Sequence, residues 1–308
     1  MRVMTQREPV QIRRDTPVKQ RKSLSSRLLS RGAYLYLAPA YLLMFGVIGF
    51  PVIKNIISSF FVIKGEDSVF VGLQQYVQLF QAADFYNALL LTLYWTLAVT
   101  IFQFVAGLLV AILINHEMAI MRWLKPLLIL PWALPGIIAA TSWVFLYSPQ
   151  GPIDSLLQPF IPSPPSWLAD PAWAMPAVIV AGIWKGFPFY MLMLLAGLQT
   201  IPTELLEAAL LDGATFWQSL RYVMLPMLRP VITTSLILGV IWTSNYFDGI
   251  YLMTQGGPAA ATQTLPIWIY NVAFSQFDLN RAATISVVLL VLVLSLLTLY
   301  FRGQGEEL

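Results

Sequence analysis

Cysteine is absent from this 308-residue chain, and histidine occurs once, at His116. The first absence excludes disulfides and thiolate metal sites. The second excludes a zinc site, which needs several nitrogen or sulfur ligands together. Charge is scarce too: Asp, Glu, Lys and Arg make up 11% of residues, against about 25% in a soluble domain. No G-x-x-x-x-G-K-[ST] stretch occurs, so the chain lacks the loop that cradles nucleotide phosphates in P-loop motors. The apolar runs pair no nucleophile with a base and set no two carboxylates together, which leaves little for an intramembrane enzyme.

What is present is apolar: 58% of residues are hydrophobic. Six runs, at 32–53, 88–114, 126–147, 173–200, 230–251 and 282–301, are long enough for a bilayer core, which takes about 20 residues of helix. Four carry no charge; Lys185 interrupts the fourth and Asp248 lies in the outer part of the fifth. The expectation is an all-α integral membrane protein with six transmembrane helices. Nine of the 18 Lys and Arg residues precede the first run, so the positive-inside rule puts the N-terminus in the cytoplasm and an even number of spans returns the C-terminus there. The chain then divides into a basic arm at 1–31, a membrane domain at 32–302 and a tail at 303–308. Such an arm suits anionic lipid headgroups, and no nucleic-acid partner is expected.

Pro39 and Pro51, Pro131 and Pro135, and Pro188 fall inside the first, third and fourth runs, where each removes an intrahelical hydrogen bond and predicts kinked helices. Ala106, Gly107 and Ala111, with Gly182 and Gly186, offer small surfaces for close helix approach. The proline-rich connection 148–173 reads as a semi-rigid external surface, equally a docking platform or a plain connection. After the turn-rich 254–266, Trp268 and Tyr270 suit the headgroup layer. His116 beside Glu117 reads as a solvated loop pair rather than a proton relay.

The polar stretch "EAALLDGATFWQSLRYVMLP" at 207–226 falls in the cytoplasm on this topology. Thr203 is placed to cap a helix from Glu204, Gly213 to end it in a left-handed conformation, and Thr215 with Gln218 to form a capping box for a second helix limited by Pro226. Ala208 and Ala209 leave the first helix slim enough for a groove, while Glu207 and Asp212 offer partners for basic residues there. A helix lying on the membrane surface has the same pattern.

This stretch resembles the EAA loop of permease subunits in binding-protein-dependent ABC importers, with Glu207, Ala208, Ala209, Gly213, Leu225 and Pro226 matching in order and spacing, and Asp212 joins them as a candidate coupling residue. "FVGLQQYVQLF", "LLILPWALPGIIAA", "WKGFPFYMLMLLAGLQTIPTELLEAALLDGA" and "FDGIYLMTQGGPAAATQTLPIWIY" extend the resemblance to maltose-type sugar permeases, and to the first of their two permease subunits. The resemblance implies a type I importer fold, a coupling helix seated on an ATPase, and alternating access driven by that ATPase. It implies a heterodimer with a second permease, two ATP-binding subunits that carry the ATP and magnesium, an extracytoplasmic solute-binding protein, a sugar cargo, and a bacterial or archaeal plasma membrane. No cofactor is expected in this chain.

Polar groups at membrane depth mark the cargo path. The richest group is "TSNYFD" at 243–248, where helical spacing sets Asn245 and Gly249 on one face and Thr243 and Phe247 on another. The resemblance points to Asn245 and Tyr246 as sugar contacts; interhelical hydrogen bonding is the equal alternative. Asp248 reads as a water-facing or inter-subunit charge. Lys185, Phe187 and Tyr190 complete the candidate path. An importer of another solute such as glycerol 3-phosphate is the runner-up, although a phosphate site wants more cations than Lys185. An ion-coupled secondary transporter ranks below it, because no internal repeat accompanies the spans.

Overall fold

The computed structural model describes residues 36–64, 67–115 and 119–305. The expected arm at 1–31, His116, Glu117 and the end of the tail lie outside them. The chain divides between Lys54 and Asn55 into two units. The described part of the first is the helix α1 (Tyr36–Ser58) up to that division. Its ladder widens into a π turn at Met44–Gly49, where the Phe50 N–H reaches back to the Phe45 carbonyl. The widening falls just before Pro51, whose ring would otherwise clash with a carbonyl one turn back.

The second unit opens with an antiparallel hairpin, β1 (Phe61–Lys64) against β2 (Asp67–Phe70). It continues through α2 (Gln74–Gln81), α3 (Ala83–Asn115), α4 (Ala119–Ala133), α5 (Gly136–Leu146), α6 (Pro152–Leu157) and α7 (Pro171–Leu198). Next come α8 (Thr203–Leu211) and α9 (Phe216–Ser219), then a π turn at Leu220–Met224 that feeds α10 (Leu225–Ser244). The chain closes with α11 (Asp248–Thr254), α12 (Leu265–Tyr270) and α13 (Leu279–Gly305). Among the described residues five helices are long and apolar enough to cross a membrane, and six if the bent pair α4–α5 counts as one span.

The centre of the second unit is the packing of α3 on α7. Association in lipid rests on close packing rather than on expulsion of apolar surface from water, and the small residues named from sequence supply it. At Gly107 a side-chain carbon would stand 2.6 Å from Tyr190 Cβ, so only glycine lets the two backbones approach this far. One buried cluster joins Trp95 and Val99 of α3 to Val178 of α7, Ala140 of α5 and Ile250 of α11. Another joins Ala111 to Tyr190, Met191, Leu194 and Leu228.

The kink expected from Pro131 and Pro135 is present, and three other expectations need correction. In the third run α4 and α5 meet at 96°, with Leu134 and Pro135 between them. Pro135 cannot donate to the Pro131 carbonyl and disfavours helical geometry at Leu134. The fifth run is interrupted at 245–247, where the Asn245 amide nitrogen donates to the Ile241 carbonyl at 2.9 Å and competes with the helical ladder. The helical-face argument therefore does not carry from Thr243 to Phe247 or from Asn245 to Gly249. Pro226 does not end the second loop helix; the π turn absorbs it and the chain runs on to Ser244. Trp268 is buried, 3% exposed, within a cluster that includes Leu265 and Ile285, so it does not serve as a headgroup anchor.

Candidate functional site

The polar loop is built from short-range rules. Helix α8 starts at Thr203, behind Pro202 rather than under a Thr203 cap; proline suits that place because its φ is fixed and it needs no hydrogen-bond acceptor. Gly213 ends the helix at φ +79°, its N–H reaching the Leu210 carbonyl and the Ala214 N–H the Ala209 carbonyl. A side chain there would meet open space, so the glycine serves the backbone angle alone. Thr215 and Gln218 form the expected capping box. Glu207, Ala208, Asp212 and Gly213 are exposed and Ala209 half-buried. Around them Leu210, Leu211, Trp217 and Tyr222 also stand exposed, an apolar and acidic surface with Leu206 turned into the core below. Leu225 is half-buried and Pro226 exposed at the start of α10.

A second constellation lies inside the bundle. An open cavity of about 200 Å³ is lined by side chains of α3, α4, α7 and α10, with Tyr246 from the break. It gathers four of the seven candidate path residues: Lys185, Tyr190, Thr243 and Tyr246. Asn245 and Phe247 line a separate groove with Tyr270 and Leu290, and neither Phe187 nor Asp248 lines the cavity. Asp248 instead lies over Gly136, where a side-chain carbon would come 3.9 Å from its Oδ2.

The walls are aromatic and held in place. The Trp95 ring stacks on Tyr246 with centroids 5.7 Å apart and planes 16° from parallel, and its indole N–H donates to the Thr243 carbonyl at 2.9 Å. Phe189 meets Trp242 edge-on at 5.0 Å. Gln103 donates from Nε2 to the Gly182 carbonyl at 2.8 Å. The hydroxyl of Thr96 is buried with no hydrogen-bond partner among the described residues, although buried polar groups are ordinarily paired, while the buried hydroxyls of Tyr190 and Thr100 face each other. Lys185 Nζ donates to the carbonyls of Pro131 at 2.9 Å, Trp132 at 3.1 Å and Leu134 at 2.5 Å.

Sequence reasoning missed Trp95, Gln103, Trp132, Phe189 and Trp242. One signal was available: Gln103 is the only amide side chain in the run 88–114, and a lone amide at membrane depth demands a partner. The tryptophans carried no such signal, since aromatic residues are common in apolar spans.

Residues 103–303 match the family described as "Binding-protein-dependent transport system inner membrane component". The chain is 35% identical over 234 residues to the trehalose/maltose transport system permease protein MalF of Thermococcus litoralis, covering 76% of this chain and 79% of that protein. It is 35% identical over 287 residues to the sulfoquinovosyl glycerol transport system permease protein SmoG of Agrobacterium fabrum, covering 91% of each. Among solved structures, a chain of a bacterial ABC transporter involved in the import of the acidic polysaccharide alginate superposes with TM-score 0.78 at 25% identity, over 91% of this chain and 99% of that one. The spans, the exposed loop helix and the matched residues thus converge, and the chain belongs to the inner-membrane components of binding-protein-dependent transport systems, with the fold of a type I ABC importer permease.

Proposed function

We propose that this chain is a permease subunit that admits a sugar or oligosaccharide-like solute by alternating access, driven by ATP hydrolysis on partner subunits that also hold the magnesium. The observation that carries the cargo assignment is the cavity: Trp132 and Trp242 present exposed, flat apolar surfaces in its wall, with Trp95 and Tyr190 packed behind them and Gln103, Lys185 and Thr243 as polar neighbours. A pyranose has the matching character, with apolar faces for aromatic rings and hydroxyls around its rim. Thr243 and Tyr246 line this path, with Lys185 in its wall, whereas Asn245, Phe187 and Asp248 act from outside it. A phosphate-bearing cargo fits less well, because the three Lys185 donors are already engaged by carbonyls. The relatives named for trehalose/maltose and sulfoquinovosyl glycerol transport favour the same class.

The loop at 203–226 is the joint to the motor. Glu207, Ala208, Ala209, Asp212 and Gly213 meet an ATPase cleft, and Leu225–Pro226 pass its motion into α10. The assembly comprises this chain, a second permease, two ATP-binding subunits and an extracytoplasmic solute-binding protein in a bacterial or archaeal plasma membrane. The basic arm at 1–31 and the tail at 303–308 are both cytoplasmic, with the permease domain between them.

The test is reconstitution of the whole assembly in proteoliposomes, with ATP hydrolysis measured as trehalose, maltodextrins, glycerol 3-phosphate and methionine are supplied with the solute-binding protein. Stimulation by a saccharide is expected. Stimulation by glycerol 3-phosphate or methionine alone would overturn the cargo assignment, and identifying the ligand carried by the purified binding protein would name the replacement.

A further inference from the structure

The broken third span leaves two exposed half-helix ends in the bundle: the carbonyl end of α4 at Pro131–Leu134 and the amide end of α5 at Gly136. A helix end carries about half an elementary charge and up to four unpaired backbone groups, and lipid offers neither water nor counter-charge. A charge of the fitting sign meets each end. Lys185, from the middle of α7, gives all three ammonium protons to the carbonyls of Pro131, Trp132 and Leu134. Asp248, in the first turn of α11, sets its carboxylate over Gly136, and α11 packs along α5.

We propose that Lys185 and Asp248 are positioning residues that hold the third span in its broken form, each compensating one half-helix end. Lys185 does not grip the cargo. By fixing the backbone on both sides of Ala133 it sets the place of Trp132 in the cavity wall. Both charges ride on the chain that flanks the 203–226 loop: α7 enters the loop, and α10 leaves it toward α11. A displacement of that loop therefore reaches the third span through Lys185 and Asp248, and Trp132 moves with it. The inference does not depend on which solute is carried.

The absence of cysteine makes the test direct. Leu127 and Phe145, on the two arms of the break, are both exposed and accept spin labels as Leu127→Cys with Phe145→Cys in the full chain, in lipid nanodiscs with its partner subunits. At about 1.5 Å per residue, a straight helix would separate these backbones by about 27 Å, while the 96° bend brings them to about 18 Å. A narrow short distance is expected with Lys185 present, a broad distribution shifted outward by several ångströms in Lys185→Met, and recovery in Lys185→Arg. Asp248→Asn broadens it in the same direction, by less. Adding Pro131→Ala and Pro135→Ala to Lys185→Met lets the helix heal and gives one narrow population at the long distance.

If Lys185→Met alone fails to accumulate, recovery on adding the two Pro→Ala changes supports the same role, and no recovery counts against it. An unchanged distance in Lys185→Met, together with loss of uptake restricted to anionic saccharides, would overturn the proposal and make Lys185 a cargo ligand.

Discussion

At Pro135 the third span turns through 96°, whereas at Pro226 the chain passes through a π turn and continues to Ser244. The local sequences are alike: each proline follows a leucine, and each belongs to a pair four residues apart, Pro131 with Pro135 and Pro226 with Pro230. In both pairs the first carbonyl faces a residue with no N–H to give. What differs is the surroundings. At 220–226 the Leu225 N–H shifts to the Leu220 carbonyl, and the widened turn makes room without help from another element. At 131–135 an ammonium from α7 takes the freed carbonyls, and α5 leaves in a new direction to pack along α11. A proline thus states that a carbonyl will lose its donor. Tertiary contacts decide whether the helix breaks or only widens.

The contrast can be broken from either side. The largest effect belongs to Lys185→Met, which strips three charge-assisted bonds from backbone carbonyls, two of them part-buried. A loss on the order of 3 kcal/mol is expected, read as a fall in the melting temperature of the detergent-solubilised complex. If the melting temperature moves no more than with a surface Lys→Met change, the clamp is not what holds the break.

Next comes the joint between the fourth and fifth spans. Gly213→Ala keeps ample space but forces a side chain to φ +79°, a cost of about 1 kcal/mol. Gly213→Pro cannot adopt the angle at all and, with Glu207→Arg, is expected to leave docking of the solute-binding protein intact while abolishing its stimulation of ATP hydrolysis. Normal stimulated hydrolysis in either variant would remove the loop from the coupling path.

Thr215→Ala removes the capping box at the start of the fifth-span helix and costs about 1 kcal/mol, measurable as faster amide hydrogen exchange at 216–219. The smallest change is expected for Pro226→Ala. The π turn already bears the accommodation, so stability moves by no more than about 0.5 kcal/mol, and a drop as large as that of Lys185→Met would erase the distinction drawn between the two prolines.

Much of the loop was legible from residue order. The left-handed Gly213 and the Thr215–Gln218 box follow from groups within four residues of each other. The start of α8 was misread by one residue because Pro202 takes the N-cap place and leaves Thr203 as the first helical residue, a choice between two local options of similar strength. The cavity was legible only in part. Lys185, Tyr190, Thr243 and Tyr246 stood out as polar atoms in apolar runs, but Trp95 and Trp242 look like any span residue until the Trp95 indole is seen to reach the Thr243 carbonyl from another helix.

Residue order by itself determined that the chain lives in a membrane, how many apolar runs it has, where its polar joint lies and which small residues let helices touch. Those properties depend on bilayer thickness, on charge and on hydrogen bonds that close within one turn. Only the tertiary structure decided that the kinked third span turns as far as 96° and the fifth is interrupted past Ser244, that Lys185 serves carbonyls 51 to 54 residues away in sequence, and which aromatic rings enclose the cavity. Backbone groups freed in an apolar medium must find a partner somewhere, and distance along the chain does not say where that partner will be.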